Sequence, residues 1–347
     1  MVSNRFLIKR LLLLVPVLLG VATFVFIILH LAPGDPARVI LGQRASQARV
    51  LELREELGLD DPLWVQYLRF LLDAAQFDFG QSYTVARGQA VRSVLATRLP
   101  VTIELALYGQ FIGLLLGIPL GIISAVKQDS VVDHLGRIGA LSGISIPIYW
   151  SGPMLILLFS TFLGIFPASG RIGSTIFLPD HWSLFGMELP LTGMVTVDTL
   201  LLGDIGAFIS ASRHLFLPAA TIGIYSLALI SRMMRSSMLE VVRQDYMRTA
   251  RAKGQGARIT ILKHGLRNAL IPVVTVVGIQ FGTLLGGAVL TETVFGIGGI
   301  GTTLVEAINA TDYTLVQGTV LMFALLFTLV NLAVDMTYSY LDPRIQQ

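Results

Sequence analysis

Residues 11–31 read LLLLVPVLLGVATFVFIILHL, 21 positions without a side chain charged at neutral pH. As a helix rising 1.5 Å per residue, such a run is about 30 Å long, the thickness of a bilayer's hydrocarbon core. A basic stub of Arg5, Lys9 and Arg10 precedes it, as in a secretory signal peptide. The run exceeds a normal h-region, and Pro33-Gly34-Asp35-Pro36 follows with no A-x-A cleavage pattern. It therefore reads as a retained first membrane helix.

Working outward, five further uncharged runs are long enough to cross, giving spans at 11–31, 105–126, 138–166, 214–231, 268–291 and 313–334. Pro147, Pro153 and Pro167 make the third a kinked or tilted helix ending near Phe166. The whole composition agrees, with 54% hydrophobic and only 14% charged residues and a mean hydropathy of +0.73. Soluble domains average about 45–50% and about 25% respectively, so the expectation is an all-α integral membrane protein with six transmembrane helices. An even number of spans puts both termini on one side. The absence of Cys removes thiol chemistry and thiolate metal sites.

The connection at 232–267 holds nine Lys and Arg residues against Glu240 and Asp245, whereas Glu292 to Asp312 has three acids and no base. The positive-inside rule then places both termini and the basic loop in the cytoplasm. The segment 32–100, with eight bases and eight acids, is a long extracytoplasmic loop, of a kind that crosses largely regardless of charge. Within it, Val50, Leu53 and Leu57 follow helical spacing up to a Gly58 stop, and Leu63, Tyr67, Phe70 and Leu71 share one face of a second helix. That face is expected to pack on neighbouring helices in preference to lying at the membrane interface. Residues 172–211 read as irregular outer structure.

In the basic loop, Asp245 is placed as an N-cap, Met247, Ala250 and Ala252 are good helix formers, and Gly254 is a stop. A short helix bounded by turns results, its alanines open to close approach among Arg248, Arg251 and Lys253.

The run Asp245 to Gly254, followed by Lys263-His264-Gly265-Leu266-Arg267-Asn268-Ala269, resembles the cytoplasmic signature of binding-protein-dependent ABC importer permeases. Of the general form only Ala250, Gly254 and Leu266 match, but Arg-Thr-Ala-Arg-Ala-Lys-Gly and His-x-Leu-Arg-Asn-Ala are usual in the dipeptide/oligopeptide branch. Further matches are Leu31-Ala32-Pro33-Gly34-Asp35-Pro36, Leu57-Gly58-Leu59-Asp60, Phe79-Gly80-Gln81-Ser82-Tyr83, Thr102-Ile103-Glu104-Leu105-Ala106, Thr291-Glu292-Thr293-Val294-Phe295 and Leu341-Asp342-Pro343-Arg344. One departure is Gly298-Gly299-Ile300-Gly301, where the branch has Pro-Gly-Ile-Gly.

The resemblance implies a type I ABC importer-like fold in one permease domain over 1–347, in a bacterial or archaeal cytoplasmic membrane. It implies three kinds of partner besides the lipid bilayer and no nucleic acid: a second homologous permease, two cytoplasmic ATPase subunits that bind ATP and Mg, and an extracytoplasmic solute-binding protein. Asp245, Arg248, Thr249, Ala250, Arg251 and Gly254 would form the coupling helix seated in an ATPase groove, with Ala250 and Gly254 packing closely and Arg248 and Arg251 making polar contacts.

Gly296-Ile297-Gly298-Gly299-Ile300-Gly301 fits G-x-G-x-x-G, but an apolar span precedes it and no P-loop Lys follows, so neither a dinucleotide nor ATP is expected there. Gly298, Gly299 and Gly301 read instead as a flexible outer gate or dock. The five His are scattered without a ligand pair, so no metal site is expected and the chain itself is not read as an enzyme. Glu104, Gln280 and Asn331 are candidates for the translocation path, because polar groups within a membrane are costly and functional by default. Glu104 and Asp335 sit near span ends at lower cost, and for Glu104 a structural hydrogen-bonding role is favoured. The function expected is a permease subunit of an ATP-driven importer for short peptides or related solutes. The alternative, an ion-gradient-driven secondary transporter, would carry mid-membrane coupling carboxylates or internal repeats, which this sequence does not display.

Overall fold

The structure is a computed structural model. It describes the backbone at 4–31, 35–42, 44–184 and 187–341, and the side chains from residue 10 within those ranges, except 183, 184, 187, 335 and 337–341. Ala32-Pro33-Gly34, Asp342-Pro343-Arg344 and the side chain of Asp335 lie outside the described residues.

The first apolar run becomes α1 (Asn4–Leu31). Asp35 then caps α2 (Pro36–Leu41) by accepting from the Ala37 amide at 3.1 Å, with Pro36 at the first helical position where its missing N–H costs nothing. Ser46 caps α3 (Gln47–Glu56), and Gly58 behind it takes the left-handed conformation expected of a stop. Next comes α4 (Leu63–Ala75). Its Tyr67 hydroxyl lies 2.6 Å from Thr23, and its Phe70 ring stacks on Phe26 at 5.9 Å, so this face meets α1. Leu63, Trp64, Leu68 and Leu72 remain exposed on the other side.

The centre of the bundle is α5 (Val91–Val126) against α9 (Ile205–Val242). Gly109, Gly113, Gly117 and Gly121 fall one turn apart on α5, and a Cβ at each would collide with Ile222, Ser226, Ile230 and Met234 of α9. Small residues at this period let two backbones approach closely, which is what drives helix association where lipid is as apolar as leucine. On one side of this pair lie Leu105, Leu217, Ile222 and Leu284, and nearer the basic segment Ile230, Met234, Met238 and Val273.

Between them run α6 (Val131–Ser145) and α7 (Ile148–Leu155), the latter continued by a π-helical stretch, Ile156–Phe162. The span expected to be kinked or tilted at 138–166 is sharply bent, because the two pieces meet at 107°. Pro147 offers no amide hydrogen and forces Ile146 out of the helical region to ψ 121°, so the axis breaks there. The segment 172–211, expected to be irregular, then contains an antiparallel hairpin, β1 (His181–Leu184) with β2 (Met187–Pro190), and α8 (Val195–Leu201).

After α9 come α10 (Asp245–Ala252), α11 (Ala257–Ile259), a π-helical turn (Thr260–Gly265), α12 (Leu266–Phe295), α13 (Ile300–Asn309) and α14 (Tyr313–Leu341). Ala257–Phe295 forms one apolar rod of 39 residues. Among the described residues five helices are long and apolar enough to cross a membrane, or six if the bent pair is one span. Helices at spans two, four and five extend well past the apolar runs on which they were recognised.

Candidate functional site

Two ends of the bundle carry the candidate residues. At the basic end, α10 follows Gln244, which sits at the cap with extended backbone and no side-chain cap bond, so Asp245 is the first helical residue and not the cap. Met247 is fully buried and Ala250 is 9% exposed. Met247 packs toward Met238 of α9 and Gly265, so the face carrying Met247 and Ala250 is turned to this chain's own helices. Two side-chain bonds fasten the helix further. Asn268 Nδ2 donates to the Tyr246 hydroxyl at 2.8 Å, and His264 Nε2 lies 2.8 Å from Gln255 Oε1.

What faces outward is Asp245, Tyr246, Arg248, Thr249, Arg251 and Ala252. Arg248 and Asp245 lie 3.7 Å apart with 76% and 96% of their side chains exposed, a pair too solvated to fix either. Gly254 has φ +80°, so it turns the chain at the end of α10, and this chain leaves open space around it. Ala250 is turned inward, toward this chain's own helices.

A charge cluster that the sequence reading passed over stands beside this end. Asp133 on α6 is fully buried and accepts from Arg235 Nε and Nη2 at 2.7 Å each, from the Asp129 amide at 3.0 Å and from Ser124 Oγ. The planar fork ties α6 to α9, while Ser124 ties both to α5.

At the opposite end Glu104 is buried, and its carboxylate receives Arg171 Nη2 at 3.0 Å and the Thr196 amide at 2.8 Å. It anchors the segment after β2 to α5. Glu292 is also fully buried, taking Thr102 Oγ1 and the Thr302 amide, and Arg98 donates to the Gly298 carbonyl at 2.9 Å. A Cβ on Gly299 or Gly301 would strike the Glu292 carboxylate or the Val289 backbone. The turn expected to be flexible is thus held on three sides, and it follows a helix where a dinucleotide fingerprint follows a strand. Gln280 on α12 and Gln110 on α5 are buried, and each Nε2 finds no partner among the described residues. Asn331 lies on α14, half-buried.

Asp312 completes this end. It is 1% exposed and accepts Ser82 Oγ at 2.6 Å and the Thr84 and Val85 amides at 3.0 and 3.2 Å, while its other oxygen takes the Leu315 amide at the start of α14. Burial pushes the carboxyl up, and these donors more than offset it, holding it below the usual carboxylate range. A lowered folded-state value means that its stabilisation is complete above the ordinary carboxylate range and is lost as pH falls through the lowered value. Asp312→Asn should therefore melt earlier than the parent at neutral pH, with the gap closing below about pH 3.9. Thermal denaturation across that window, in detergent, checks it.

Residues 117–347 match the binding-protein-dependent transport system inner membrane component family, and residues 3–106 match its N-terminal counterpart. The chain is 44% identical to the dipeptide transport system permease protein of Alkalihalophilus pseudofirmus, over 97% of this chain and 98% of that one. It is 43% identical to the dipeptide transport system permease protein of Escherichia coli K12, over 99% and 98%. Among solved structures, an inward-facing MetNI methionine ABC transporter superposes with a TM-score of 0.54 at 16% identity, over 72% of this chain and 97% of that one, which shows the fold alone. On matches that run through nearly its whole length, the chain belongs to the family of binding-protein-dependent transport system inner membrane components.

Proposed function

We propose that this chain is one transmembrane permease subunit of an ATP-driven importer for dipeptides, oligopeptides or related small solutes. The full-length similarity to dipeptide permeases carries that reading. It does not favour the ion-gradient-driven alternative.

In this reading the permease domain spans 1–347, with both termini and 232–267 in the cytoplasm and 32–100 outside. A second homologous permease supplies the other half of the pathway, a binding protein delivers the solute, and two ATPase subunits hold ATP and Mg. α10 is the coupling helix. The observation that supports this most is its double attachment: Met247 against Gly265, beside Met238 of α9, and Tyr246 hydrogen-bonded to Asn268 of α12. A helix fastened to two long rods passes a push at its outer face into both as rigid-body motion. Arg248, Thr249, Arg251 and Asp245 offer that face polar contacts, and Gly254 turns the chain back toward α12.

At the other end Gly298, Gly299 and Gly301, braced by Glu292 and Arg98, form a stiff dock or gate. Gln280 and Asn331 remain the path candidates, since an unpaired amide inside a membrane is costly unless a partner arrives.

The test is ATP hydrolysis by the complex, co-expressed with its neighbouring genes in lipid nanodiscs, with and without binding protein and a dipeptide mixture. Stimulation by the two together is expected. Absence of any co-purifying ATPase, with uptake driven by an ion gradient, would overturn the reading.

A further inference from the structure

At the basic end of the bundle, α5, α6 and α9 leave a cavity of about 310 Å³. One wall is apolar, made by Leu120, Leu141 and Ile144. The remaining lining includes three arginines, Arg137, Arg232 and Arg235, and among the described residues it includes no carboxylate.

The three arginines differ in what neutralises them. Arg235 is matched from behind by Asp133, with both carboxylate oxygens engaged. Arg137 reaches the same carboxylate only at 3.8 Å and keeps 44% of its side chain exposed. Arg232 is exposed, and no hydrogen bond or ion pair engages it among the described residues. Two guanidinium groups are thus left at the mouth of a largely apolar cleft, a surplus that calls for an anion.

Arg137, Leu141 and Ile144 follow one another at i, i+4, i+7 on the face of α6 that lines the cavity, and Leu141 stands 59% exposed. The apolar wall thus leads from the arginine along the helix. A ligand complementary to both features carries a phosphate at one end and a hydrocarbon chain at the other.

We propose that this cavity seats an anionic phospholipid, its phosphate held between Arg137 and Arg232 and an acyl chain laid along α6. A free phosphate would satisfy the arginines and leave the apolar wall unused. The lipid would wedge against α5, α6 and α9 beside the Asp133–Arg235 clamp, so membrane composition would bear on how these three helices are held together.

The experiment is native mass spectrometry of the intact complex after exchange into dioleoylphosphatidylglycerol or dioleoylphosphatidylcholine at equal concentration. Retention of the anionic lipid about tenfold above the zwitterionic one is expected, falling to near parity in the Arg137→Gln, Arg232→Gln double variant. A control double variant, Arg243→Gln with Arg258→Gln, removes the same charge outside the cavity and is expected to keep the preference. Three results would overturn the proposal: equal retention of the two lipids, a preference lost equally in the control, or displacement of the lipid by millimolar inorganic phosphate. Failure of any lipid to be retained, because another subunit covers the cleft, would do the same.

Discussion

Asp133→Ala is expected to cost the folded chain about 3–5 kcal/mol, because it strands the Arg235 guanidinium beside a fully buried site where two other donors, Ser124 Oγ and the Asp129 amide, also lose their acceptor. The lower end of that range applies, since Arg235 keeps 20% of its side chain in contact with solvent. Replacing both partners with apolar residues of similar volume, Asp133→Leu with Arg235→Met, should recover most of the loss, because neither charge is then left alone. Thermal midpoints of the purified complex separate the two outcomes. A single variant as stable as the parent would mean that water compensates Arg235 and that the clamp does not hold α6 to α9.

Ala252→Arg carries the largest expected effect on function. Ala252 lies on the exposed face of α10, so the chain itself should accept the larger side chain with normal expression and thermal stability. If α10 seats in a groove, the added guanidinium fills the space the groove needs, and stimulated ATP hydrolysis should fall about tenfold or more, equivalent to at least about 1.4 kcal/mol of lost coupling. Ala250→Arg and Gly254→Arg test this less cleanly. The first forces a long side chain into this chain's own packing, and the second puts a Cβ on a residue at φ +80°. Unaltered stimulation in Ala252→Arg, with the protein well folded, would move the coupling surface elsewhere.

Much of the scaffold was legible in the residues. Uncharged runs located the long helices because a bilayer demands length and apolarity together. Their ends were not, since α9 runs from Ile205 to Val242 while its uncharged run covers only half of that. Helices continue as long as neighbours bury them, and the charges in these flanks are paired or exposed. A kink in the third span was legible in Pro147, but its size was not, because prolines in a membrane helix are often accommodated by a slight bend. Of the candidate site, α10 could be read from its composition and its Gly254 stop, but its facing could not, because Met238 and Gly265 lie on other elements. The buried carboxylates show the same limit most plainly. Glu104 finds Thr196, Glu292 finds Thr102 and Asp312 finds Ser82, at separations of 92, 190 and 230 positions that no local pattern connects.

The glycine seam between α5 and α9 also sets a timetable for biosynthesis. Val242 leaves the ribosome 116 residues after Val126, which at about 5–20 residues per second is about 6–23 s. For that interval α5 stands in the membrane with its row of glycines facing lipid and its long-range partner not yet made. The nascent chain is therefore most open to mispairing with a foreign helix between the completion of α5 and the arrival of α9. A translational pause placed within that interval should lower the yield of assembled protein more than one placed after it.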